Sequence, residues 1–184
     1  MNEDLEKKYP SLKLAYEHVR DVLNEQQQTA SDLDTKIATI FGISTAIFGV
    51  GMPLILSLLN INGITKLSEF WQAASIGLIT AILVGLIILS WIIITRKSLN
   101  GYRLKNFITM NDPEEIRLKL WSVPQSEFYH EILLNVEKAF FDNDEELKRK
   151  TTITDSLIDW LIVQIVSMLA FLFFVFLLKA IGVF

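Results

Sequence analysis

The sequence contains no cysteine. That removes disulfides, thiolate metal sites and a cysteine nucleophile together. There are only two histidines, His18 and His130; they fall in different amphipathic stretches, neither begins a metal-ligand pair, and both read as surface residues. Of the eight glycines, Gly42, Gly49, Gly51, Gly77 and Gly85 lie in apolar runs, while Gly63, Gly101 and Gly182 stand alone. A glycine-rich phosphate cradle is therefore excluded. No stretch alternates with period two for long enough to form a sheet, and no repeat or low-complexity linker is present. A net charge of −4 leaves no overall basic footprint for nucleic acid. The acidic cluster Asp142, Asp144, Glu145 and Glu146 reads as the negative first turn of a helix rather than as a catalytic pair. These absences point away from an enzyme and call for no cofactor or metal.

What the chain does have is apolar length. Hydrophobic residues make up 51% of its 184 positions, and the mean hydropathy is +0.38, high for a soluble domain. Residues 37–59 and 73–95 are uncharged, and each run of about 23 residues covers roughly 30 Å as a helix, enough for the hydrocarbon of a bilayer. A third run, 160–178, has only Gln164 and Ser167 as polar groups. The reading is all-α, an integral membrane protein of three transmembrane helices with a helical cytoplasmic layer. Its parts are a stalk at 1–36, a first span at 37–59, an external loop at 60–72 and a second span at 73–95. A cytoplasmic helical segment at 96–156 and a third span at 157–181 follow. No N-terminal signal peptide is expected, because the first 36 residues are charged and the first apolar run is too long and too late.

Lysine and arginine set the expected orientation. The stalk carries Lys7, Lys8, Lys13, Arg20 and Lys36, and the central segment runs from Arg96 and Lys97 to Lys148, Arg149 and Lys150. The loop between the first two spans has only Lys66, and Lys179 alone follows the third span. The N-terminus is thus expected in the cytoplasm and the C-terminus outside the cell membrane. Trp91 and Trp160 would sit at the inner interface and Trp71 at the outer one.

Pro10 suits a helix start. Beyond it Leu12, Tyr16, Val19, Leu23, Ala30, Leu33 and Ile37 recur at steps of four and three, with Gln26 in the missing place. That heptad-like stripe predicts a long helix continuing into the first span. Gly101 weakens an extension of the second span by about 1 kcal/mol relative to alanine without forbidding it. Asp112, Pro113 and Glu115 resemble a helix start, and Ser122 with Gln125 and Asn143 with Glu146 read as two further capping boxes. Thr151 and Thr152 are the expected weak point before the third span. Small residues recur at steps of four, as Ala38, Gly42 and Ala46 in span one and Ala73, Gly77, Ala81 and Gly85 in span two. Such spacing predicts close backbone packing, between these spans or between subunits of a homo-oligomer. Gln164 and Ser167, three apart, either line a polar seam or hydrogen-bond a neighbouring helix, and the second is favoured.

One cytoplasmic face carries candidate chemistry. Arg96, Asn100 and Arg103 share one side of the extension of span two, with Phe107 at the next step and Lys97 and Lys105 flanking it. Basic residues just inside a membrane usually touch lipid headgroups. The sharper alternative is an anion site, in which arginine gives bidentate donors to a phosphate while Tyr102, Trp121 or Tyr129 stacks on a base.

The segment QQQTASDLDTKIATIFGISTAIFGV, with its Asp34-x-Lys36 step ahead of a span containing glycine and alanine, resembles the approach to the first span in small bacterial anti-phage membrane effectors. The nearest in kind are the transmembrane effectors of the pyrimidine cyclase system for antiphage resistance (Pycsar); related two-span effectors act in cyclic-oligonucleotide defence. The order of stalk, two-span hairpin and charged cytoplasmic segment is similar as well, whereas the third span departs from a two-span plan. The resemblance implies antiviral defence by abortive infection. A partner cyclase would make a cyclic pyrimidine nucleotide, cyclic UMP or cyclic CMP, which the protein binds in the cytoplasm before impairing the lipid bilayer. The competing readings are a constitutive structural or accessory oligomeric membrane protein and a small channel, the latter weakened by the scarcity of charge within the spans.

Overall fold

The computed structural model describes residues 12–59, 70–102 and 125–181, with side chains over 17–57, 74–102 and 132–181. Apart from a closing turn at Ile181, these residues are helical. Helix α1 is Leu12–Leu59, 48 residues long; α2 is Phe70–Tyr102, 33 residues; α3 is Gln125–Ala180, 56 residues. Each contains an apolar stretch long enough to cross a membrane, so the chain is an all-α, multi-pass membrane protein. The described residues group into two compact units. One draws on Met1–Asp34 and Leu104–Thr152, the other on Thr35–Arg103 and Ile153–Phe184.

In the first unit, α1 and α3 lie side by side in the same direction. Gln26, Ala30 and Leu33 of α1 are buried, as are Ile132, Val136, Ala139, Asn143 and Lys150 of α3. The steps of three, four and seven are those of a parallel helix seam. Gln26, the gap in the apolar stripe, belongs to it: its Nε2 donates to the carbonyl of Phe140 at 3.3 Å. Eight residues further on, Lys150 Nζ donates to Asp34 Oδ1 at 2.6 Å.

Three expectations about α3 are corrected by its continuity. No helix begins at Asn143, because nothing between Gln125 and Ala180 breaks one: the stretch holds neither glycine nor proline. Asn143 is instead a buried seam residue, 3% exposed. The acidic cluster accordingly lies in mid-helix, and its charge is met by side chains further along rather than by a helix terminus. Asp144 pairs with Lys148 at 2.6 Å, and Glu146 takes the Nε of Arg149 at 3.0 and 3.1 Å. The Asp144 hydrogen bond raises the pKa of the Lys148 ammonium above its ordinary value, and that of Glu146 does the same for Arg149. Thr151 and Thr152 do not interrupt the helix either. Their hydroxyls donate to the carbonyls of Leu147 and Lys148 at 2.9 and 3.0 Å, which satisfies them without leaving the helix.

The second unit contains the apolar parts of all three helices. Its core has two clusters, Ile37, Ile40, Ile94 and Leu157 in one and Ile55, Ile87 and Phe171 in the other. On every helix a buried polar residue falls between the two: Ser44 on α1, Ser90 on α2 and Gln164 on α3. Gln164 joins α3 to α1 twice. Ser44 Oγ donates to its Oε1 at 2.6 Å, and its Nε2 donates to the Ser44 carbonyl at 3.1 Å. The favoured reading of Gln164, a hydrogen bond to a neighbouring helix, is what the structure shows.

Helices α1 and α3 run in one direction in this unit and α2 in the other. Ile37 sits opposite Gly101, and Phe48 stacks on Trp91 with ring centroids 4.4 Å apart. The indole of Trp91 is thus turned onto a neighbouring helix. Gly101 serves this crossing directly, since a Cβ there would fall 2.9 Å from Ile37 Cδ1 and 3.5 Å from Ile153 Cγ2. The same glycine that weakens α2 as a helix lets three helices meet.

Candidate functional site

The last turns of α2 present two unlike faces. One is packed: Ile94, Ser98 and Gly101 are buried, at steps of four and three. The other carries Arg96, Leu99, Asn100 and Tyr102, all exposed. These four line an open cavity of about 480 Å³, within the range of small-molecule sites. A guanidinium, a carboxamide and a phenol converge there with one aliphatic side chain. This set can hold an anion by a bidentate fork, read a polar edge with both donor and acceptor, and cover a ring.

The structure brings together part of the face expected from the sequence. Arg96 and Tyr102 line the cavity, and Asn100 joins them. Lys97 does not; its ammonium donates to Ser156 Oγ on α3, which commits it to the opposite side of α2. Arg103 and Lys105 lie outside the described residues, as do Phe107 and Trp121. Leu99, which the sequence reading passed over, supplies the apolar part of the lining; its place three residues after Arg96, on the same side of the helix, was the available signal.

The small residues are exposed. Ala38, Gly42 and Ala46 of α1 and Gly77, Ala81 and Gly85 of α2 all face outward, and a Cβ built on Gly42, Gly77 or Gly85 would meet nothing within 4 Å. The side chain of Ala73 lies outside those described. Within one chain, α1 and α2 are joined through Phe48 on Trp91 and Ile37 against Gly101 instead. The small-residue faces are left free for contacts beyond the chain.

The sequence reading also missed the Asp34–Lys150 pair. Asp34 was noted beside Lys36, yet Lys36 is exposed and the carboxylate meets Lys150. Counting the seam of α3 from Val136 through Ala139 and Asn143 would have put Lys150 on the inner face. Comparison with family models, curated proteins and solved structures finds no match to this chain.

Proposed function

We propose that this protein is a membrane effector of a cyclic-nucleotide anti-phage defence system. A cyclic pyrimidine nucleotide, cyclic UMP or cyclic CMP, made by a partner cyclase, binds on the cytoplasmic side; the protein then impairs the membrane and stops phage propagation in the infected cell. The cavity lined by Arg96, Leu99, Asn100 and Tyr102 is the observation that supports this reading. A 3′,5′-cyclic phosphate is a compact monoanion suited to the Arg96 fork. A pyrimidine edge offers both donors and acceptors to the Asn100 amide, and the Tyr102 ring gives the base a surface to stack on.

The position of the cavity suggests the coupling. It lies on the same turns of α2 whose other face packs Ser98 and Gly101 into the three-helix core. A ligand that favours one placement of Arg96 and Asn100 therefore acts on the packing behind them. Shifting a resting population of 1:99 to 99:1 requires differential binding of about 5.5 kcal/mol between the two arrangements. The lysine and arginine distribution supports a topology with the N-terminus and the segment after α2 in the cytoplasm and the C-terminus outside. The outward small residues suit a homo-oligomer in the membrane.

Titration of the purified full-length protein with cyclic UMP and cyclic CMP tests the reading, with 3′,5′-cyclic AMP as the control. The expected result is saturable binding of one pyrimidine nucleotide, lost in Arg96→Ala and partly kept in Arg96→Lys, because a point charge does not reproduce a fork. Absence of binding to either nucleotide would remove the proposal. Binding that Arg96→Ala leaves untouched would move the site elsewhere and return this face to lipid headgroups.

A further inference from the structure

Two carboxylates sit where a membrane protein seldom leaves them. Asp155 and Asp159 of α3 are exposed, about one turn apart on one side of the helix, directly before the uncharged run 160–178. Neither takes part in a hydrogen bond or ion pair among the described residues. Lipid phosphates repel a carboxylate and hydrocarbon leaves it unsolvated, so charge at the edge of a span ordinarily finds a partner. Acids earlier in the same helix have one: Asp144 holds Lys148, and Glu146 holds Arg149.

The complement is on α2. Arg96 and Asn100 are likewise exposed and one turn apart, and Arg96 has no ion pair among the described residues. Contacts inside the unit fix the depths. Gly101 lies against Ile153, where a Cβ would be 3.5 Å from its Cγ2, and Lys97 donates to Ser156. Arg96 is five residues back from Gly101, and Asp159 is six residues on from Ile153. Because α2 and α3 run oppositely, both steps go the same way along the bundle. Arg96 and Asp159 therefore stand within about one residue rise, roughly 1.5 Å, of the same depth. The same count matches Asn100 with Asp155. Apolar faces continue from both pairs, Ile92 and Leu89 on α2 and Ile162 and Val166 on α3, all four exposed.

We propose that the α3 face of Asp155 and Asp159 docks on the α2 face of Arg96 and Asn100 in a second copy of this chain. Copies side by side in one bilayer share an orientation, so the two faces meet as antiparallel helices with no vertical offset. Arg96 then offers its fork to Asp159 of the second copy, and the Asn100 amide donates to Asp155. Ile92 comes level with Ile162 of the second copy. Charge selects this pairing over the others: α2 against α2 sets Arg96 beside Arg96, and α3 against α3 sets four carboxylates together. The contact deepens the homo-oligomer of the proposed function and rests on that part of it alone. Arg96 also lines the cavity, so a nucleotide phosphate bound there would compete with Asp159 for the fork.

With no native cysteine, disulfide formation reports introduced pairs only. Full-length Ile92→Cys and Ile162→Cys proteins are reconstituted together and singly in phosphatidylethanolamine–phosphatidylglycerol bilayers without nucleotide, then oxidised with copper phenanthroline. A lysine-reactive cross-linker run in parallel reports association in any geometry. The expected result is a disulfide-linked dimer several-fold more abundant in the mixture than in either protein alone. Adding Asp159→Arg to the Ile162→Cys protein should lower that yield several-fold, and adding Arg96→Asp to its Ile92→Cys partner should then restore it. A mixture that links no better than the single proteins, or a charge exchange that restores nothing, would overturn the docking; lysine cross-links would then leave homo-oligomerisation standing. Absence of lysine cross-links as well would remove the homo-oligomer along with it. Because no nucleotide is present, neither failure is a failure of the nucleotide reading.

Discussion

Lys150 Nζ lies 2.6 Å from Asp34 Oδ1, with the lysine side chain fully buried and the carboxylate 34% exposed. The burial is lopsided, and so are the consequences of breaking the pair. Asp34→Ala leaves an ammonium in the seam without its carboxylate, whereas Lys150→Met removes the buried charge and keeps an unbranched side chain of similar length. Loss of one partner from a fully buried pair costs about 3–5 kcal/mol; with Asp34 partly solvated, about 2–3 kcal/mol is expected for Asp34→Ala. Lys150→Met should cost clearly less. Thermal unfolding in detergent checks the order, and equal losses in the two variants would show that the asymmetry has no energetic weight.

The Ser44–Gln164 pair should couple measurably but modestly. Hydrogen bonds between membrane helices average about 0.6 kcal/mol in mutant cycles, with a maximum near 1.7 kcal/mol. A cycle of Ser44→Ala, Gln164→Leu and the double variant is expected to return a coupling in that range, read by unfolding in mixed micelles. A value indistinguishable from zero would mean that each group finds an equally good partner when the other is removed.

Gly101 should reject bulk according to what Ile37 allows. Alanine there gains about 1 kcal/mol of helix propensity but presses on a fully buried isoleucine. Gly101→Ala should therefore be near neutral alone and stabilising on an Ile37→Val background, where the crowding Cδ1 is gone. Gly101→Val should destabilise by about 1–3 kcal/mol through overpacking. Melting temperatures of the four variants check this, and strict additivity of Gly101→Ala and Ile37→Val would contradict the contact.

How much of this was legible in the sequence depended on whether a residue's surroundings repeat along the chain. The three spans were legible because lipid demands unbroken apolar length, and the α1 stripe because a seam repeats every three or four residues. Continuity of α3 was not. Asn143 followed by Glu146 carries the chemistry of a helix start, and only the packing of Asn143 against a second helix shows that the start is unused. Lys150 was hidden for a similar reason: next to a span, lysine reads as a headgroup contact until its place in the α3 seam is counted. The Arg96 face was found by spacing alone, while Lys97 was assigned to it by proximity in sequence and lies on another side of the helix. The direction in which the small-residue faces point could not be read from spacing, since both faces of a span are apolar.

Those faces give a test of association separate from folding. Gly77 and Ala81 are exposed, so replacing both with leucine should leave the unfolding free energy of the monomer within about 0.5 kcal/mol of the parent, the usual range for surface substitutions. The oligomer distribution seen by cross-linking in bilayers should shift toward smaller species. An unchanged distribution would show that the copies meet elsewhere.

The bond between Ser44 and Gln164 also sets an order of events during synthesis. Ser44, Trp91 and Thr95 leave the ribosome well before Gln164, which follows Thr95 by about 70 residues; at 5–20 residues per second that is roughly 4–14 s. Through that interval the nascent hairpin of α1 and α2 is complete enough to enter the bilayer, yet its inward hydroxyls have no third helix. Ser44 must meanwhile lean on its own backbone, as Ser90 does with Ile87, and exchange that bond for Gln164 when α3 arrives. The half-made protein therefore passes through a two-helix stage whose polar side is open to insertion machinery. A ribosome stalled before residue 150 would hold it there, with Gln164 not yet made.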